Sequence, residues 1–150
     1  MSLQPIINYL AYSERIGSAG QPTVEQFASI QEAGYEAVLS LLPDRPPYFQ
    51  EEEAQVRALG MDFARIPVEW DTPQLTQLEA FFERMSAWKG RRVFVHCAMN
   101  MRVSAFLYLY HTLRVGSSEA EAHAKLTLIW EPEGVWEEFV ADAKAYFQKV

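Results

Sequence analysis

The 150-residue sequence is short of cysteine, of basic residues and of long apolar runs. With one cysteine, Cys97, it cannot form an internal disulfide, and a reducing compartment such as the cytoplasm is expected. Lys and Arg number 13 against 20 Asp and Glu, whereas nucleic-acid binding normally needs a basic stripe. No run approaches a membrane span, and the amino terminus lacks the basic-then-apolar order of a signal peptide. These absences predict a cytoplasmic protein that binds neither nucleic acid nor membrane.

What the chain does contain is enough apolar material for an ordered core. Hydrophobic residues make up 49% of the sequence and aromatic residues 13%, in a length typical of one domain. We therefore expect a single domain over residues 1–150. The net charge of −7 still allows a small anionic substrate, because a local pocket can be positive on an acidic protein.

Apolar runs and helix-like segments alternate along the chain with short links. Strands are predicted within 6–16, ahead of a turn at 17–20, and at 37–42, 63–68 and 92–96. Helices are predicted at 23–33, 50–59, 72–89, 102–115, from Ser117 or Ser118 onward, and at 132–147. Thr23 with Gln26, and Thr72 with Pro73, are typical helix starts. This order predicts an α/β fold of three layers, with a mostly parallel central sheet between helices and Cys97 beyond a strand's carboxyl end.

The segment from His96 to Arg102 is the strongest candidate site. A thiol between a buried strand and a helix start lies where backbone N–H groups and the helix dipole stabilise a thiolate nucleophile. The same N–H groups and the Arg102 fork can hold an oxyanion such as phosphate. The predicted nucleophile is therefore Cys97, and the predicted anion-binding groups are Arg102 and the backbone of Ala98, Met99, Asn100 and Met101. The alternative is that Cys97 is only a small buried apolar residue.

Several short segments carry a family resemblance. They are 18–23 (SAGQPT), the strand near Val38, 66–68 (IPV) and 93–97 (VFVHC). In these segments the chain resembles the cysteine-dependent protein tyrosine and dual-specificity phosphatases, in the bacterial branch associated with beta-lactamase-hydrolase-like proteins. The resemblance covers most of the chain. It implies a dual-specificity-phosphatase-like fold and hydrolysis of phosphate monoesters through a phosphocysteine, without a cofactor, on a phosphorylated protein or small molecule.

The resemblance also implies an aspartate on a loop before the nucleophile strand, which protonates the leaving oxygen and later activates water. Asp71 matches it by position, because it follows one predicted strand and precedes a helix. Glu69 is the nearest rival for this role. The alternative for Asp71 is an ordinary acidic residue at a helix start.

The loop departs from the family pattern in length. Four residues, 98–101, separate Cys97 from Arg102, whereas the family has five. Asn100 stands where a glycine is usual, and asparagine tolerates left-handed backbone best among the other residues. With a one-residue deletion Arg102 binds phosphate and Val103 replaces a hydroxyl residue. Without a gap, Ser104 occupies the family's hydroxyl position and Val103 replaces the arginine. The Ser104 hydroxyl would then help the thiolate leave. The alternative is that Ser104 is an ordinary serine in the first turn of the helix.

The shorter spacing has two further interpretations. The loop also resembles that of rhodanese-like sulfurtransferases, which carry a persulfide on the cysteine, although the upstream half of the chain lacks that family's other segments. A binding module that keeps the anion pocket without turnover is the third possibility. His96 is expected to orient the loop by hydrogen bonding, and no metal is expected, because no second ligand follows at metal spacing.

Overall fold

The computed structural model describes residues 2–148 and contains a four-stranded sheet and six α-helices in this range. The strands are β1 (Ile16–Ala19), β2 (Ala37–Ser40), β3 (Asp62–Arg65) and β4 (Val93–His96). The helices are α1 (Val24–Glu32), α2 (Glu52–Ala58), α3 (Leu75–Ala87), α4 (Met101–Tyr110), α5 (Glu119–Thr127) and α6 (Val135–Phe147). A π-helical turn, His111–Val115, continues α4. Within residues 2–148, none of the helices combines the length and apolar character that crossing a membrane requires.

The sheet has the strand order β1-β4-β2-β3, and every neighbouring pair is parallel. In the register, Ala19 and Ser40 both lie beside His96, the last residue of β4. The carboxyl ends of the three strands therefore meet at one edge, and the segment that follows β4 emerges between two neighbours. This is the end of a parallel sheet at which ligands bind.

Helices cover both faces of the sheet. Successive side chains of β4 point to opposite faces, so that Phe94 packs with Phe27 of α1 and Val56 of α2. Val93 and Val95 belong instead to the larger core, which α3, α4, α5 and α6 complete. The rings of Phe81 and Phe106 meet there edge to face, with centroids 5.4 Å apart. The predicted three-layer α/β domain is confirmed.

The first predicted strand was misplaced. Residues 6–15 form no strand apart from a single bridge between Leu10 and Ser18, and the expected turn at 17–20 is mostly the strand β1. Gly17 suggested a turn, but in the structure it is part of β1, where the neighbouring Tyr35 leaves no room for a side chain. A Cβ there would lie 2.6 Å from the hydroxyl of Tyr35. The glycine thus allows close packing between β1 and the residues beneath it.

Two helix starts also differ from the prediction. The helix α3 begins at Leu75, and the side chain of Gln77 accepts a hydrogen bond of 3.0 Å from the Gln74 N–H. This contact replaces the predicted cap by Thr72 and Pro73. The last helix begins at Val135 rather than at residue 132, because Gly134 has a φ of 61° and interrupts the helical path.

Candidate active site

Cys97 directly follows β4 and is 1% exposed. Its N–H donates to the carbonyl of Ala19 at 3.3 Å, which extends the pairing of β1 and β4 by one residue. The residue lines a pocket of about 280 Å³ at the carboxyl edge of the sheet, and α4 begins four residues later at Met101. The fold therefore places the thiol between a strand end and a helix start, the setting that the sequence predicted.

Asn100 shapes the loop that connects Cys97 to α4. Its backbone is left-handed, with φ 69° and ψ 2°, which confirms the conformation expected at the glycine position. The side chain is buried, and its Nδ2 donates to the Asn8 carbonyl at 2.8 Å and to Ser18 Oγ at 3.1 Å. These bonds tie the loop to β1 and to the segment before it.

The outer side of the loop is held by hydrogen bonds to its carbonyl groups. The Gln21 N–H donates to the carbonyl of Ala98 at 3.1 Å, and Asn8 Nδ2 donates to that of Met99 at 2.9 Å. In a trans peptide the carbonyl and the next N–H point in opposite directions. The N–H group of Met99 therefore points away from Gln21.

Gly20 lies where the backbone approaches the loop most closely. A Cβ on Gly20 would be 2.4 Å from the carbonyl oxygen of Ala98. We expect Gly20→Ala to displace the loop and to lower the kcat/KM of the phosphate-ester hydrolysis that the family resemblance implies at least about tenfold, with a loss of about 1–3 kcal/mol of unfolding free energy. Steady-state kinetics and urea unfolding measure the two effects.

Gly60→Ala is the matched control for this substitution. Gly60 has a φ of 86°, and a methyl group added there would meet no atom within 4 Å, so its alanine costs about 1–2 kcal/mol of backbone strain far from the loop. Its kcat/KM should stay at the wild-type value. Equal kinetic losses in both variants would show that the effect of Gly20→Ala is general destabilisation rather than a displaced loop.

Arg102 is the second residue of α4 and is 7% exposed. Its Nε and Nη1 atoms are buried without a hydrogen-bond partner among the described residues. The guanidinium carbon lies 5.7 Å from the centroid of the Trp70 ring, and both side chains line the same pocket as Cys97. Because buried N–H groups are normally paired, these two donors lack a partner that the rest of the described fold would be expected to supply.

The other pocket walls are apolar: Trp70, Ala98, Met99 and Met101. Trp70 is anchored by its neighbours, since Trp136 Nε1 donates to its carbonyl at 2.8 Å and Trp130 packs at a centroid distance of 5.4 Å. Trp130 Nε1 also donates to the carbonyl of Met101 at 3.0 Å. The tryptophans thus connect the segment after β3 to the start of α4, a link that the sequence did not reveal.

The two acid candidates differ in their partners. Both oxygens of Glu69 accept hydrogen bonds from Arg45, at 2.5 and 2.8 Å, and these bonds hold the pKa of the Glu69 carboxyl below its ordinary value. Asp71 is exposed, and among the described residues it has no hydrogen bond or ion pair. It does not line the pocket, but it directly follows Trp70, which does. Glu69 is thus held in an ion pair, whereas Asp71 is not.

His96 and Ser104 are placed behind the loop and in α4. His96 is fully buried, with Nδ1 3.3 Å from the Cys97 carbonyl and Nε2 against Glu52 Oε2. The Ser104 hydroxyl donates to the Met101 carbonyl at 3.0 Å, as a first-turn helix serine does. The described residues contain no cluster of three or more metal-ligating side chains. The sequence analysis missed Glu52, which stands between two other glutamates in a run that gives no sign of burial.

Two known proteins are similar to this chain in sequence. The chain is 30% identical, over 119 residues, to a beta-lactamase hydrolase-like protein of Agrobacterium fabrum. The match covers 75% of the chain but only 27% of that relative's length. A solved structure from Shewanella putrefaciens CN-32, described as "Putative phosphatase (DUF442)", is 31% identical, with 97% and 96% of the two chains covered and a TM-score of 0.85.

The fold is shared more widely. The core catalytic domain of the yeast PP-IP phosphatase SIW14, from S. cerevisiae, superposes with a TM-score of 0.75 at 16% identity, covering 97% of this chain and 93% of that one. A scan of protein-family models found no match. The parallel sheet, with a cysteine directly after a central strand, is a phosphatase-type fold. The chain belongs to the DUF442 family of putative phosphatases, and it shares the fold of more distant phosphatases.

Proposed function

We propose that the chain hydrolyses phosphate monoesters, with Cys97 as the nucleophile. The observation that carries the proposal is Arg102, whose buried and unpartnered Nε and Nη1 atoms belong to a side chain that lines the pocket of Cys97. A planar fork of N–H donors beside a nucleophile matches two oxygens of a phosphate group. The backbone amides of residues 98–101 add donors at the start of α4.

The proposed reaction has two steps. The Cys97 thiolate attacks phosphorus, an S–P bond forms, and the P–O bond to the leaving group breaks while Asp71 gives that oxygen its proton. Water then attacks the phosphocysteine and passes a proton to Asp71, the S–P bond breaks, and inorganic phosphate and the thiolate are released. Arg102 stabilises the charge on the transferring group in both steps.

The pocket supports a substrate with one phosphate and an apolar leaving group. Among the described residues that line it, Arg102 alone is charged, and it lies beside the walls of Trp70, Met99 and Met101. The proposed substrates are accordingly a phosphotyrosine-like side chain or a phosphorylated small molecule in the cytoplasm. Release of inorganic phosphate from p-nitrophenyl phosphate by the purified chain is the first test. Absence of release at any pH from 5 to 8 would remove the proposal.

Asp71→Asn tests the general acid. We expect kcat to fall about 10²-fold for an alkyl phosphate, whose leaving oxygen needs a proton, and much less for p-nitrophenyl phosphate. Both are measured by steady-state kinetics on the two substrates.

Glu69→Gln is the matched control for Asp71→Asn. It removes a carboxylate two residues away that already pairs with Arg45. Its kcat should stay within about threefold of wild type, because an exposed ion pair contributes little. If Glu69→Gln lowered kcat for the alkyl ester more than Asp71→Asn did, Glu69 rather than Asp71 would be the acid.

Sulfur transfer is a second candidate, favoured by the four residues between Cys97 and Arg102. In this reaction the Cys97 thiolate attacks the outer sulfur of thiosulfate, an S–S bond forms, and sulfite leaves. Cyanide then takes that sulfur as thiocyanate and regenerates the thiolate. Thiocyanate formation and a one-sulfur mass increase on Cys97 would favour this function. Phosphate binding with neither activity would indicate a binding module without turnover.

A further inference from the structure

One buried acid lies behind the loop and has no part in the proposed reaction. Glu52, the first residue of α2, is 1% exposed, whereas Glu51 and Glu53 on either side are exposed. Its Oε2 contacts His96 Nε2, and its Oε1 accepts a hydrogen bond of 3.3 Å from Gln21 Nε2. Burying a carboxyl group is costly unless its partners compensate. The two partners of Glu52 therefore compensate for the burial of its carboxyl group.

His96 connects this acid to the nucleophile. The imidazole is fully buried, and its Nδ1 lies 3.3 Å from the carbonyl oxygen of Cys97. A carbonyl only accepts, so this contact requires a proton on Nδ1. The contact between His96 Nε2 and Glu52 Oε2 needs another proton between these two atoms. The pair is then either imidazolium with carboxylate or neutral imidazole with carboxylic acid. Both forms have zero net charge, and the donor end of the pair faces Cys97.

We propose that Glu52 is a positioning residue that acts through His96 to hold the Cys97 carbonyl and to favour the Cys97 thiolate. Glu52 fixes the tautomer and the ring orientation that direct Nδ1–H at the loop. Gln21 supports it from the other side, and the Gln21 N–H also binds the Ala98 carbonyl. The proposal rests on Cys97 being the nucleophile of the proposed function, but it does not depend on which substrate Cys97 attacks.

Other charged groups also lie near the loop. Arg102 lines the pocket from α4, while Glu69 and Asp71 belong to the segment after β3. These groups are unchanged when Glu52 is substituted. A readout on the Cys97 sulfur itself therefore separates positioning from general stabilisation of the fold.

Alkylation by iodoacetamide supplies that readout, because Cys97 is the only cysteine in the chain. The reagent is neutral and reacts with the thiolate. We expect Glu52→Gln to react about tenfold more slowly than wild type at neutral pH, with the midpoint of its pH profile about one unit higher. Glu53→Gln is the matched control: it is exposed, pairs with Arg57 at 2.9 Å, and should react as wild type does.

Glu52→Asp and Gln21→Met complete the experiment. Glu52→Asp keeps the carboxyl group and should restore part of the rate. If Glu52→Gln does not fold, Gln21→Met decides, because it removes only the outer donor and should slow alkylation about threefold. If Glu52→Gln folds, a wild-type alkylation rate and pH profile in this variant overturns the proposal. If Glu52→Gln does not fold, the same result in Gln21→Met overturns it. Failure to hydrolyse any phosphate ester would leave the alkylation result unaffected, so the two proposals fail separately.

Discussion

Cys97→Ser is expected to lower the rate of p-nitrophenyl phosphate hydrolysis at least about 10⁴-fold. The serine hydroxyl is close in size to the thiol but stays protonated at neutral pH, and Asp71, which must donate a proton in this step, cannot also accept one from it. The loop, Arg102 and the pocket remain in place. Steady-state phosphate release by wild type and variant, at matched protein concentrations, measures the effect.

Phosphate binding by the variant is the control for its fold. The residue at position 97 is 1% exposed, and serine fits the same space, so inorganic phosphate should raise the Tm of Cys97→Ser and that of wild type by the same amount. Loss of hydrolysis together with retained binding assigns the chemistry to the sulfur. Hydrolysis within tenfold of the wild-type rate would show that the nucleophile is another group.

The sequence predicted the local geometry around Cys97 where a few consecutive residues determine it. Strand β4 is an apolar run that ends at His96, and a parallel strand delivers the next residue to the ligand-binding edge. Asn100 was expected to take left-handed backbone, because its short side chain permits that conformation, and it has φ 69°. These features depend on a few consecutive residues, so the pattern alone was sufficient.

The parts that the sequence did not reveal depend on contacts between distant segments. Nothing in the run Glu51-Glu52-Glu53 shows which glutamate is buried, since that depends on how α2 meets β4. The turn expected at residues 17–20 is mostly strand β1, because Gly17 serves packing against Tyr35 rather than chain reversal. Likewise, Trp130 and Trp136 reach Met101 and Trp70 only through the tertiary fold.

The loop length connects the fold to the choice between the two candidate functions. Both proposed reactions use the Cys97 thiolate and Arg102. One begins with attack on the phosphorus of a phosphate ester, and the other begins with attack on the outer sulfur of thiosulfate. Four residues between Cys97 and Arg102 enclose a smaller space than five, while the surrounding scaffold is that of the phosphatases. Activity on the two substrate classes must therefore be compared in one preparation, with Arg102 as the group on which both depend.

Arg102→Leu is expected to lower kcat/KM about 10³-fold while leaving the protein as stable as wild type or more so. The guanidinium is 7% exposed, with two buried nitrogens that lack partners among the described residues, and each such group costs about 1–3 kcal/mol in the ligand-free protein. Leucine removes that cost and also the fork that we propose holds the phosphate oxygens. Urea unfolding and steady-state kinetics on the same samples test both halves of the prediction.

Phosphate linkage distinguishes a binding role for Arg102 from a packing role. At ten times its Kd, inorganic phosphate should stabilise wild type by about 1.4 kcal/mol and should not stabilise Arg102→Leu. Arg84→Leu is the matched control, because Arg84 lies on α3 with its guanidinium 5.0 Å from the Trp88 ring, and its loss should leave both phosphate binding and kcat/KM unchanged. An Arg102→Leu protein that unfolds more easily than wild type yet still gains stability from phosphate would make Arg102 a packing residue. The anion would then have to be held by the backbone of residues 98–101 alone, a site that lacks the charge to compete with water for a dianion.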